Sequence, residues 1–575
     1  MAMAKTFTRR AALASGLAIS ATSCASTPKM TPYVSTSDAA TGAFSHGVAS
    51  GDPDQTSVVI WTRLTPPENA LHADIAWEIA ADDAFANIVA SGETATGASR
   101  DWTVKALAQG LKPGSTYFYR FHSGGETSRT GRAKTLPAGA VEKARFAVIS
   151  CSNYPFGYFN VYDLISRQDD LDAVIHLGDY IYEYGRDGYG GETGRKLGSE
   201  HEPAHECRTL SDYRRRHAQY KADTACQAMH ARHSMIAIWD DHETCNDSWS
   251  GGGENHDPAT EGSWDARRRA ALQAYYEWQP VREPEMTPEA FFRSFSYGDL
   301  LTIAALETRL MARAKTFEYS DLIPTLNTPE DIAHFRTKIL WDETREMLGA
   351  AQLDYFERVW RNSVSAGQPW RLVANQVTMA KVTAPDLTPH VTEEEIAELE
   401  KQWDQARAFV KSSALGLPLN FDAWDGYPAA RERFYDMVKS AGGGGMLVVT
   451  GDTHTWWAND LVDKNGVQVG VELGAHSVTS PSPYGGHFLG GTGAENANMT
   501  NRENKDVHFL SGEHHGFIDL TVTKEAARAE FRAVDTIESR NYNAFVHAAF
   551  DIAKTPDGAK FTNADGLTFK ERFLF

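Results

Sequence analysis

The sequence predicts an α/β protein: a β-sheet core flanked by helices, with a small antiparallel β-sandwich before it. Four short apolar runs rich in Val, Ile and Leu are bounded by polar or turn residues, which is typical of strands buried on both faces. Nearer the N-terminus, several segments alternate between apolar and polar residues with a period of two, as half-buried antiparallel strands do. The 575 residues are enough for two such domains.

The first 27 residues have the features of an export signal. Arg9 and Arg10 precede AALASGLAISATS, an uncharged stretch of small and apolar residues that is typical of twin-arginine signals. We therefore expect residues 1–27 to bind the twin-arginine export machinery and the mature protein to be periplasmic or secreted. Cys24 is a candidate lipid anchor, and cleavage nearby without a lipid is the alternative. No apolar run reaches the length of a membrane-spanning helix, so no transmembrane span is expected.

A linker and the β-sandwich are predicted next. Residues 28–42 are rich in Thr, Ser, Ala and Pro, which is typical of a linker. Residues 43–138 contain TSVVIWTRL, ADIAWEIA and STYFYRFHS, separated by Pro, Gly and Asp turns, and are predicted to form the sandwich. Its simplest role is to pack against the following domain and shape the rim of a site there, with glycan binding as the alternative.

The main α/β domain is predicted over residues 144–540, and a C-terminal tail over residues 541–575. FGYFNVYDLISRQDD has the apolar spacing of a crossover helix between two parallel strands. SDYRRRHAQYKAD and EEEIAELEKQWDQARAFVK are further predicted helices, and the arginine triplet in the first is most simply a solvated face. FVHAAFDIAK, inside the tail, is interpreted as a short helix.

Each of the four apolar runs ends in a polar motif. The motifs are Ser150-Cys151-Ser152-Asn153 after RFAVI, Gly178-Asp179-Tyr180-Ile181-Tyr182 after LDAVIHL, Trp239-Asp240-Asp241-His242-Glu243 after SMIAI, and Gly451-Asp452-Thr453-His454 after MLVVT. Because ligands of an open α/β sheet bind beyond the carboxyl ends of its strands, we expect the four motifs to converge on one site. Taken singly, each residue has an ordinary explanation, such as a buried apolar cysteine or a packing tyrosine. Their joint occurrence at four strand ends favours a shared site.

The residue types predict that this site holds metal ions. The thiol of Cys151, the phenol of Tyr182, the carboxylate of Asp179 and the imidazole of His454 would suit Fe³⁺, an acid strong enough to keep the first two deprotonated. The second oxygen of Asp179 would bridge to another cation.

The other candidate ligands offer only oxygen. Asp241, Asn246 and Asp452 would complete the second site, and such donors favour Ca²⁺, with Mn²⁺ or Mg²⁺ as alternatives. His242, beside a candidate ligand, is the candidate general acid, which would protonate a leaving alkoxide.

Together the motifs resemble the alkaline phosphatase D family, a divergent branch of the calcineurin-like metallophosphoesterases that is related to the purple acid phosphatases. The resemblance rests on GDYIY, WDDHE and GDTH in this order, with an SC pair on the first strand, and covers about Phe44 to about Arg540. It implies a metallophosphoesterase-type sheet core and a fibronectin type III-like N-terminal sandwich. It also implies hydrolysis of phosphate monoesters and diesters at alkaline pH by a metal-activated hydroxide at a bimetallic Fe³⁺/Ca²⁺ site.

The family's ligands would fall on the residues already singled out. The implied iron ligands are Cys151, Asp179, Tyr182 and His454, and the implied calcium ligands are Asp179, Asp452 and residues of the WDDHE segment. Where a paired Asn is expected after that segment, this chain has Cys245-Asn246, so Asn246 is a plausible ligand and Cys245 a local departure.

Charge and cysteine content set further limits. A formal charge of −20 argues against a nucleic-acid-binding surface, and an anionic substrate then requires cations at the site. Five cysteines are too few for a disulfide framework in an exported protein of this size. With Cys24 in the signal and Cys151 at the metal site, Cys207 and Cys226 are the first pair to test as a disulfide, and free thiols are the alternative.

Three functions are open at this point. The favoured one is an exported metal-dependent phosphatase that acts on small phosphate esters. The second is a phospholipase D-like phosphodiesterase that acts on a phospholipid, and the third is a non-catalytic envelope protein that binds a glycan and keeps a structural metal. His242 beside the candidate ligands favours an enzyme, because a structural metal site needs no general acid.

Overall fold

The computed structural model describes residues 28–562 except 36–39, 41, 66–69, 402, 486, 489–490 and 557. The predicted signal peptide, with Arg9, Arg10 and Cys24, lies outside the described residues, as does the end of the predicted tail. None of the helices in the described part combines the length and the hydropathy needed to cross a membrane.

The described strands are short and mostly buried. The first twelve are β1 (Thr31–Val34), β2 (Val48–Gly51), β3 (Ser57–Arg63), β4 (His72–Ala80), β5 (Ile88–Gly97), β6 (Thr103–Gln109), β7 (Thr116–Ser123), β8 (Glu126–Thr127), β9 (Gly131–Lys134), β10 (Lys143–Ile149), β11 (Ala173–His176) and β12 (Ser234–Ala237). The others are β13 (Arg293–Tyr297), β14 (Leu301–Ala305), β15 (Trp370–Ala374), β16 (Met446–Thr450), β17 (Trp456–Val462), β18 (Gln468–Gly474), β19 (His487–Phe488), β20 (Gly491–Thr492), β21 (Val507–Ser511), β22 (Gly516–Thr523), β23 (Ala526–Val534), β24 (Asn541–Lys554) and β25 (Ala559–Phe561).

The helices lie mainly in the connections between strands. They are α1 (Asn160–Ser166), α2 (Gly191–Leu197), α3 (Leu210–Lys221), α4 (Thr224–Arg232), α5 (Pro258–Glu261), α6 (Trp264–Trp278), α7 (Tyr319–Leu322), α8 (Pro329–His334), α9 (Ala350–Ser365), α10 (Glu393–Leu399), α11 (Ala406–Ser413), α12 (Pro428–Ala441) and α13 (Gly493–Glu503). The predicted crossover helix is confirmed as α1, and SDYRRRHAQYKAD is confirmed as α3.

Two large sheets form the core of the main domain. In the described part, the first sheet runs β1-β24-β23-β22-β10-β11-β12-β2-β3-β6, with β25 against β24, and the second runs β13-β14-β15-β16-β18-β17-β21. One apolar cluster joins them, with Phe146 and Ile175 from the first sheet packed with Ile303 and Leu372 from the second. Helices α1, α3, α4 and α6 contribute to the apolar cluster on the outer face of the first sheet, and α9 and α12 to that of the second. The predicted sheet core flanked by helices is therefore confirmed.

The N-terminal region is β-rich, as predicted. Strands β2, β3 and β6 face a second layer, β5-β4-β7-β8 with β9 beside β7, and enclose a cluster that includes Ile60, Ile79 and Phe121. Strand β2 also pairs in parallel with β12, with Ser50 opposite Ser234, so one layer of the sandwich continues the main sheet. The fibronectin type III likeness stays a prediction.

Two local interpretations need correction. FVHAAFDIAK is not a helix but part of β24, where Ala548, Phe550 and Ile552 alternate into the core with a period of two. The spacing of apolar residues in so short a run is compatible with either a helix or a strand, and only the strands that pair with it decide between them. EEEIAELEKQWDQARAFVK forms two helices, α10 and α11, rather than one.

Candidate metal centre

The candidate site lies where the carboxyl ends of strands from both sheets meet. Cys151 follows β10, Asp179 follows β11 and Asp241 follows β12, all in the first sheet, whereas Asp452 and His454 follow β16 in the second. The four motifs therefore converge as expected, but across two facing sheets rather than along the edge of one.

The donor atoms form three overlapping groups. Within each group, one donor atom per residue lies within 4.8 Å of the others: Cys151, Asp179 and His454; Asp179, Asp241 and His242; and Asp240, Asp241 and Asp452. Asp179 belongs to the first and second groups, and Asp241 to the second and third. Asp179 thus links the sulfur-containing group to the second group, and Asp241 links the second group to the group of three carboxylates.

Tyr182 lies with the first group. Its hydroxyl donates to Asp179 Oδ2 at 3.0 Å, lies 3.1 Å from His454 Nε2, and accepts a hydrogen bond from Ser480 Oγ at 2.8 Å. Cys151 and Tyr182 are fully buried behind the site. The second sulfur-containing residue, Cys245, is also fully buried and lies away from this group, near Glu183 and Glu206.

A cavity of about 280 Å³ opens onto these residues. Six of the eight predicted site residues line it: Asp179, Asp241, His242, Asn246, Asp452 and His454. Asn246 Oδ1 accepts a hydrogen bond from the Tyr184 hydroxyl at 3.1 Å, and Tyr184, Tyr189 and Asp247 complete the lining.

Buried carboxylate oxygens without donors mark this site. Asp179 Oδ1, Asp240 Oδ2 and Asp241 Oδ1 are buried, and none accepts a hydrogen bond from the described residues. Burial raises the pKa of Asp179 well above its usual value, and burial, followed by the charge of Asp179, does the same to the pKa of the Cys151 thiol. Burial likewise raises the pKa of the Tyr182 phenol well above its usual value. A cation would satisfy these oxygens and favour the deprotonated forms, so the donor set fits metal ions.

The backbone of four candidate ligands lies in the left-handed region. The φ angles are 60° at Cys151, 55° at Asp179, 63° at Asp452 and 50° at His454. Non-glycine residues rarely adopt such angles, and strain of this kind concentrates at functional sites. The turn at the end of each strand aims the side chain back toward the point where the two sheets meet.

Two glycines allow the loops to approach one another. A Cβ on Gly178, whose φ is 111°, would lie 2.4 Å from the backbone nitrogen of Asp240. A Cβ on Gly451 would lie 2.6 Å from Ser150 Cβ. Both glycines immediately precede candidate ligands, so each Gly-Asp pair combines a close backbone approach with an aspartate at positive φ.

His242 lines the cavity, and one of its ring nitrogens is hydrogen-bonded to a carboxylate. Its Nδ1 lies 2.8 Å from Glu183 Oε2, and its ring stacks on Tyr182 with centroids 4.1 Å apart. Burial by itself lowers the pKa of His242, but the charges of Asp241, Glu183 and Asp179 outweigh it and raise the pKa well above its usual value. Cations bound to the same carboxylates would counter this rise. Glu183 thus orients the ring and leaves Nε2 as the nitrogen available to a ligand.

Arg309 is a residue of the site that the sequence did not reveal. It follows β14 in the second sheet, is fully buried, and forms ion pairs with Asp240, with Asp422 at 2.6 Å and with Asp452 at 3.2 Å. The guanidinium therefore offsets part of the carboxylate charge from behind. A single arginine after an ordinary strand carries no sequence signal for such a role.

Two further buried residues hold the loops in place. Glu243 accepts backbone hydrogen bonds from Asp179 at 3.1 Å, Tyr180 at 2.6 Å and Asp240 at 2.8 Å. Arg216 donates to the carbonyl oxygens of Tyr182 and Tyr184. The interpretation of the arginine triplet as a solvated face is therefore wrong for Arg216, which is fully buried.

The cysteines in the described part are free thiols. The candidate pair, Cys207 and Cys226, does not form a disulfide. Cys226 lies in the first turn of α4 with its sulfur 3.1 Å from the Tyr180 hydroxyl, whereas Cys207 precedes α3 and bonds the Glu183 carbonyl through its backbone nitrogen. The alternative of free thiols is the correct one.

Known proteins match both regions of the chain. The family model for PhoD-like phosphatases matches residues 146–531, and the model for the N-terminal domain of PhoD-like phosphatases matches residues 27–137. Alkaline phosphatase D of Bacillus subtilis (strain 168) is 34% identical over 545 residues, which cover 90% of this chain and 82% of that protein. A solved structure described as "Structure of PhoD" is similar with a TM-score of 0.72 at 31% identity, covering 91% of this chain and 93% of that one.

Proposed function

This chain belongs to the PhoD-like phosphatase family and is a phosphoric ester hydrolase, and from that premise we propose that it hydrolyses phosphate monoesters, diesters or both at a centre holding Fe³⁺ and Ca²⁺. Mn²⁺ or Mg²⁺ is the alternative to Ca²⁺. The observation that carries the proposal is Asp179, whose buried carboxylate belongs to two donor groups of different chemistry and has one oxygen without a hydrogen bond.

The proposed ligands on the two sides of Asp179 suit different ions. Cys151, Tyr182 and His454 supply sulfur, phenolic oxygen and nitrogen, which favour iron, and Asp179 would be shared. Asp241, Asn246 and Asp452 supply only oxygen, which favours a hard divalent cation. When bound, such cations polarise phosphate oxygens and lower the pKa of a bound water.

The residues around the cavity have separate tasks in hydrolysis. The oxygen of a water forms a bond to phosphorus while the ester P–O bond breaks, and the departing oxygen needs a proton. His242 is the residue proposed to supply that proton from Nε2, because Glu183 holds Nδ1 at 2.8 Å. Arg309 offsets carboxylate charge behind the site, which eases the approach of an anion to a protein of net charge −20.

The proposed place of action is the periplasm or the cell exterior. The support is the twin-arginine pattern at Arg9 and Arg10, followed by an uncharged stretch. Replacement of both arginines by lysine is expected to leave the protein in the cytoplasm. Periplasmic recovery of that variant at the wild-type level would contradict the proposed export route.

A substrate panel tests the proposed activity. We expect the purified protein to hydrolyse nitrophenyl phosphate, bis-nitrophenyl phosphate and a phospholipid at rates that differ, with activity restored by Ca²⁺ after chelation. Preference for the phospholipid would identify the phospholipase D-like alternative. No hydrolysis of any ester by protein with measured iron and calcium would contradict the proposal.

A further inference from the structure

A second and larger cavity adjoins the candidate metal centre. Its volume is about 990 Å³, and it shares Tyr184, Tyr189, Asn246 and Asp247 with the smaller cavity described above. A phosphate ester held at the metal centre would therefore extend one of its alcohol groups into this space. We call it the acidic cavity, because of the side chains that line it.

The lining of the acidic cavity is strongly negative. Among the described residues, eight acidic side chains line it against one basic side chain, Lys401. Lys401 forms an exposed ion pair with Glu398, which lies outside the lining. A second phosphate or carboxylate on a substrate would be repelled here, whereas a positive charge would be attracted.

Two of the acidic side chains form a pair that no lysine or arginine of the described residues neutralises. Gln405 Nε2 lies between them, 2.6 Å from Glu318 Oε2 and 3.3 Å from Glu254 Oε1. The neutral side-chain amide of Gln405 is thus the partner that the two glutamates share. The charge of Lys315 lowers the pKa of Glu318 only from a longer distance. Burial raises the pKa of Glu318, as expected for a carboxylate that lacks a close cation.

Aromatic side chains and an unpaired hydroxyl lie in the same lining. Tyr319 and Trp403 meet edge to face with centroids 6.3 Å apart, and both line the cavity. Thr316, also in the lining, is 8% exposed, and its hydroxyl has no hydrogen-bond partner among the described residues. Aromatic faces beside carboxylates are the usual environment for an ammonium group, and the hydroxyl is available to a polar ligand.

We propose that the acidic cavity recognises a positively charged ammonium group on an alcohol of a phosphate diester. Glu318 and Glu254 would supply the opposite charge, and Tyr319 and Trp403 the aromatic surface. This inference rests on the proposed function, because it places the phosphate of the same molecule at the metal centre. It narrows the substrate class to esters of amino alcohols and disfavours substrates with a second anionic group.

Two diesters with the same leaving group test the proposal. One is nitrophenyl phosphorylcholine, and the other is the analogue that lacks the positive charge, in which a tert-butyl group replaces the trimethylammonium group. Since both release nitrophenolate, the ratio of their kcat/KM values reports recognition of the charge alone. We expect the wild-type enzyme to favour the ester with the ammonium group by about tenfold, and the ratio to fall as salt is added.

Substitutions in the lining of the acidic cavity test which side chains recognise the ammonium group. Glu318→Gln is expected to lower the ratio about threefold or more, because it removes a charge next to the ammonium group. Asp404→Asn, in the same lining, is the second variant should Glu318→Gln fail to fold. Glu285→Gln changes an exposed glutamate outside the lining and is the matched control, for which the ratio should not change. Glu254 is a poor choice, because it contacts the candidate ligand Asn246.

The outcomes separate this inference from the proposed function. Failure of metal-loaded wild-type protein to hydrolyse nitrophenyl phosphate as well as both diesters would contradict the proposed function itself. Hydrolysis of nitrophenyl phosphate but of neither diester would overturn the inference alone. Hydrolysis of both at equal kcat/KM would overturn the inference and leave the proposed function standing, as would a wild-type ratio in Glu318→Gln and Asp404→Asn. Glycerophosphocholine and phosphatidylcholine vesicles, each assayed for released choline, then distinguish a soluble ester from a lipid headgroup as the source of the ammonium group.

Discussion

At the scale of single residues, the two histidines of the motifs have different surroundings. His242 has Nδ1 on Glu183 and faces the cavity, whereas His454 is in the donor group of Cys151 and Asp179, with Nδ1 on the carbonyl oxygen of Pro481. The histidines of the WDDHE and GDTH motifs thus have different hydrogen-bond partners. Under the proposed function, the carboxylate of Glu183 would orient His242 for proton transfer, and the carbonyl of Pro481 would orient His454 toward a cation.

His242→Ala should retain bound metals and lose activity in a way that depends on the leaving group. General acid catalysis typically contributes about 10²–10⁴-fold, and it matters most for poor leaving groups. We therefore expect a large loss with alkyl phosphates and a smaller loss with nitrophenyl esters. His454→Ala is the comparison: it should lose iron and slow both substrates alike. Equal metal loss and equal leaving-group dependence in both variants would make His242 another ligand.

Asp179→Asn and Asp452→Asn should each remove most of the activity. Substitution of a residue that contacts a metal ligand typically lowers metal affinity or activity about 10–100-fold. Substitution of a ligand itself should therefore lower the activity about 100-fold or more. Chelation of Ca²⁺ should have the same effect and be reversible. Circular dichroism checks that the variants remain folded. Full activity in chelated protein that metal analysis finds free of divalent cations would refute the role of the second cation.

At the scale of elements, short strand-to-loop turns build the site. Strands β10, β11, β12 and β16 are ordinary buried strands, but each ends in a turn that places a candidate ligand at positive φ or against a neighbouring loop. Glu243 links the turns after β11 and β12 through three backbone hydrogen bonds. The loops therefore act as one unit, and a change in one is expected to disturb ligands carried by another.

Gly178→Ala tests how closely these loops must pack. Its Cβ would lie 2.4 Å from a backbone nitrogen, so we expect loss of bound metal and a lower melting temperature. Gly110→Ala is the matched control, since Gly110 has φ of 76° but a Cβ added there would meet nothing within 4 Å. Strain from positive φ alone costs about 1–3 kcal/mol, and the control should lose no more than this. A similar loss of stability in both variants, with metal retained in both, would contradict the packing argument.

At the scale of the whole molecule, the sequence predicted which side chains lie together better than how the strands that carry them are arranged. Val-, Ile- and Leu-rich runs ending in Asp, Cys and His are local patterns, and the structure brings all eight predicted side chains to one region. The pairing of β10–β12 with one sheet and β16 with another depends on distant partners, as does the inclusion of β24 in the first sheet. Arg309 and Arg216 were missed because burial of an arginine is decided by the carboxylates and carbonyls that surround it in the fold.

Three buried neutral histidines should each destabilise the fold in mild acid. Burial lowers the pKa values of His176, His217 and His233 to about 3. Between that value and the unfolded value near 6.5, each of these histidines binds more protons in the unfolded chain, so its contribution to stability falls as pH falls. The expected slope is about 1.4 kcal/mol per pH unit for each such histidine. Denaturant unfolding between pH 7 and pH 4 measures it, and His217→Gln should make the slope shallower. An unchanged slope would mean that His217 titrates normally in the folded state.

We propose that Cys151, Asp179, Tyr182 and His454 hold Fe³⁺ beside a divalent cation, and the visible absorption spectrum of the purified protein is the decisive measurement. Charge transfer from tyrosinate and thiolate to ferric iron should give a band, and elemental analysis should find one iron per chain. Tyr182→Phe should shift or remove the band, whereas Tyr189→Phe, outside the donor groups, should leave it unchanged. A colourless protein that contains no iron and is fully active would contradict the claim.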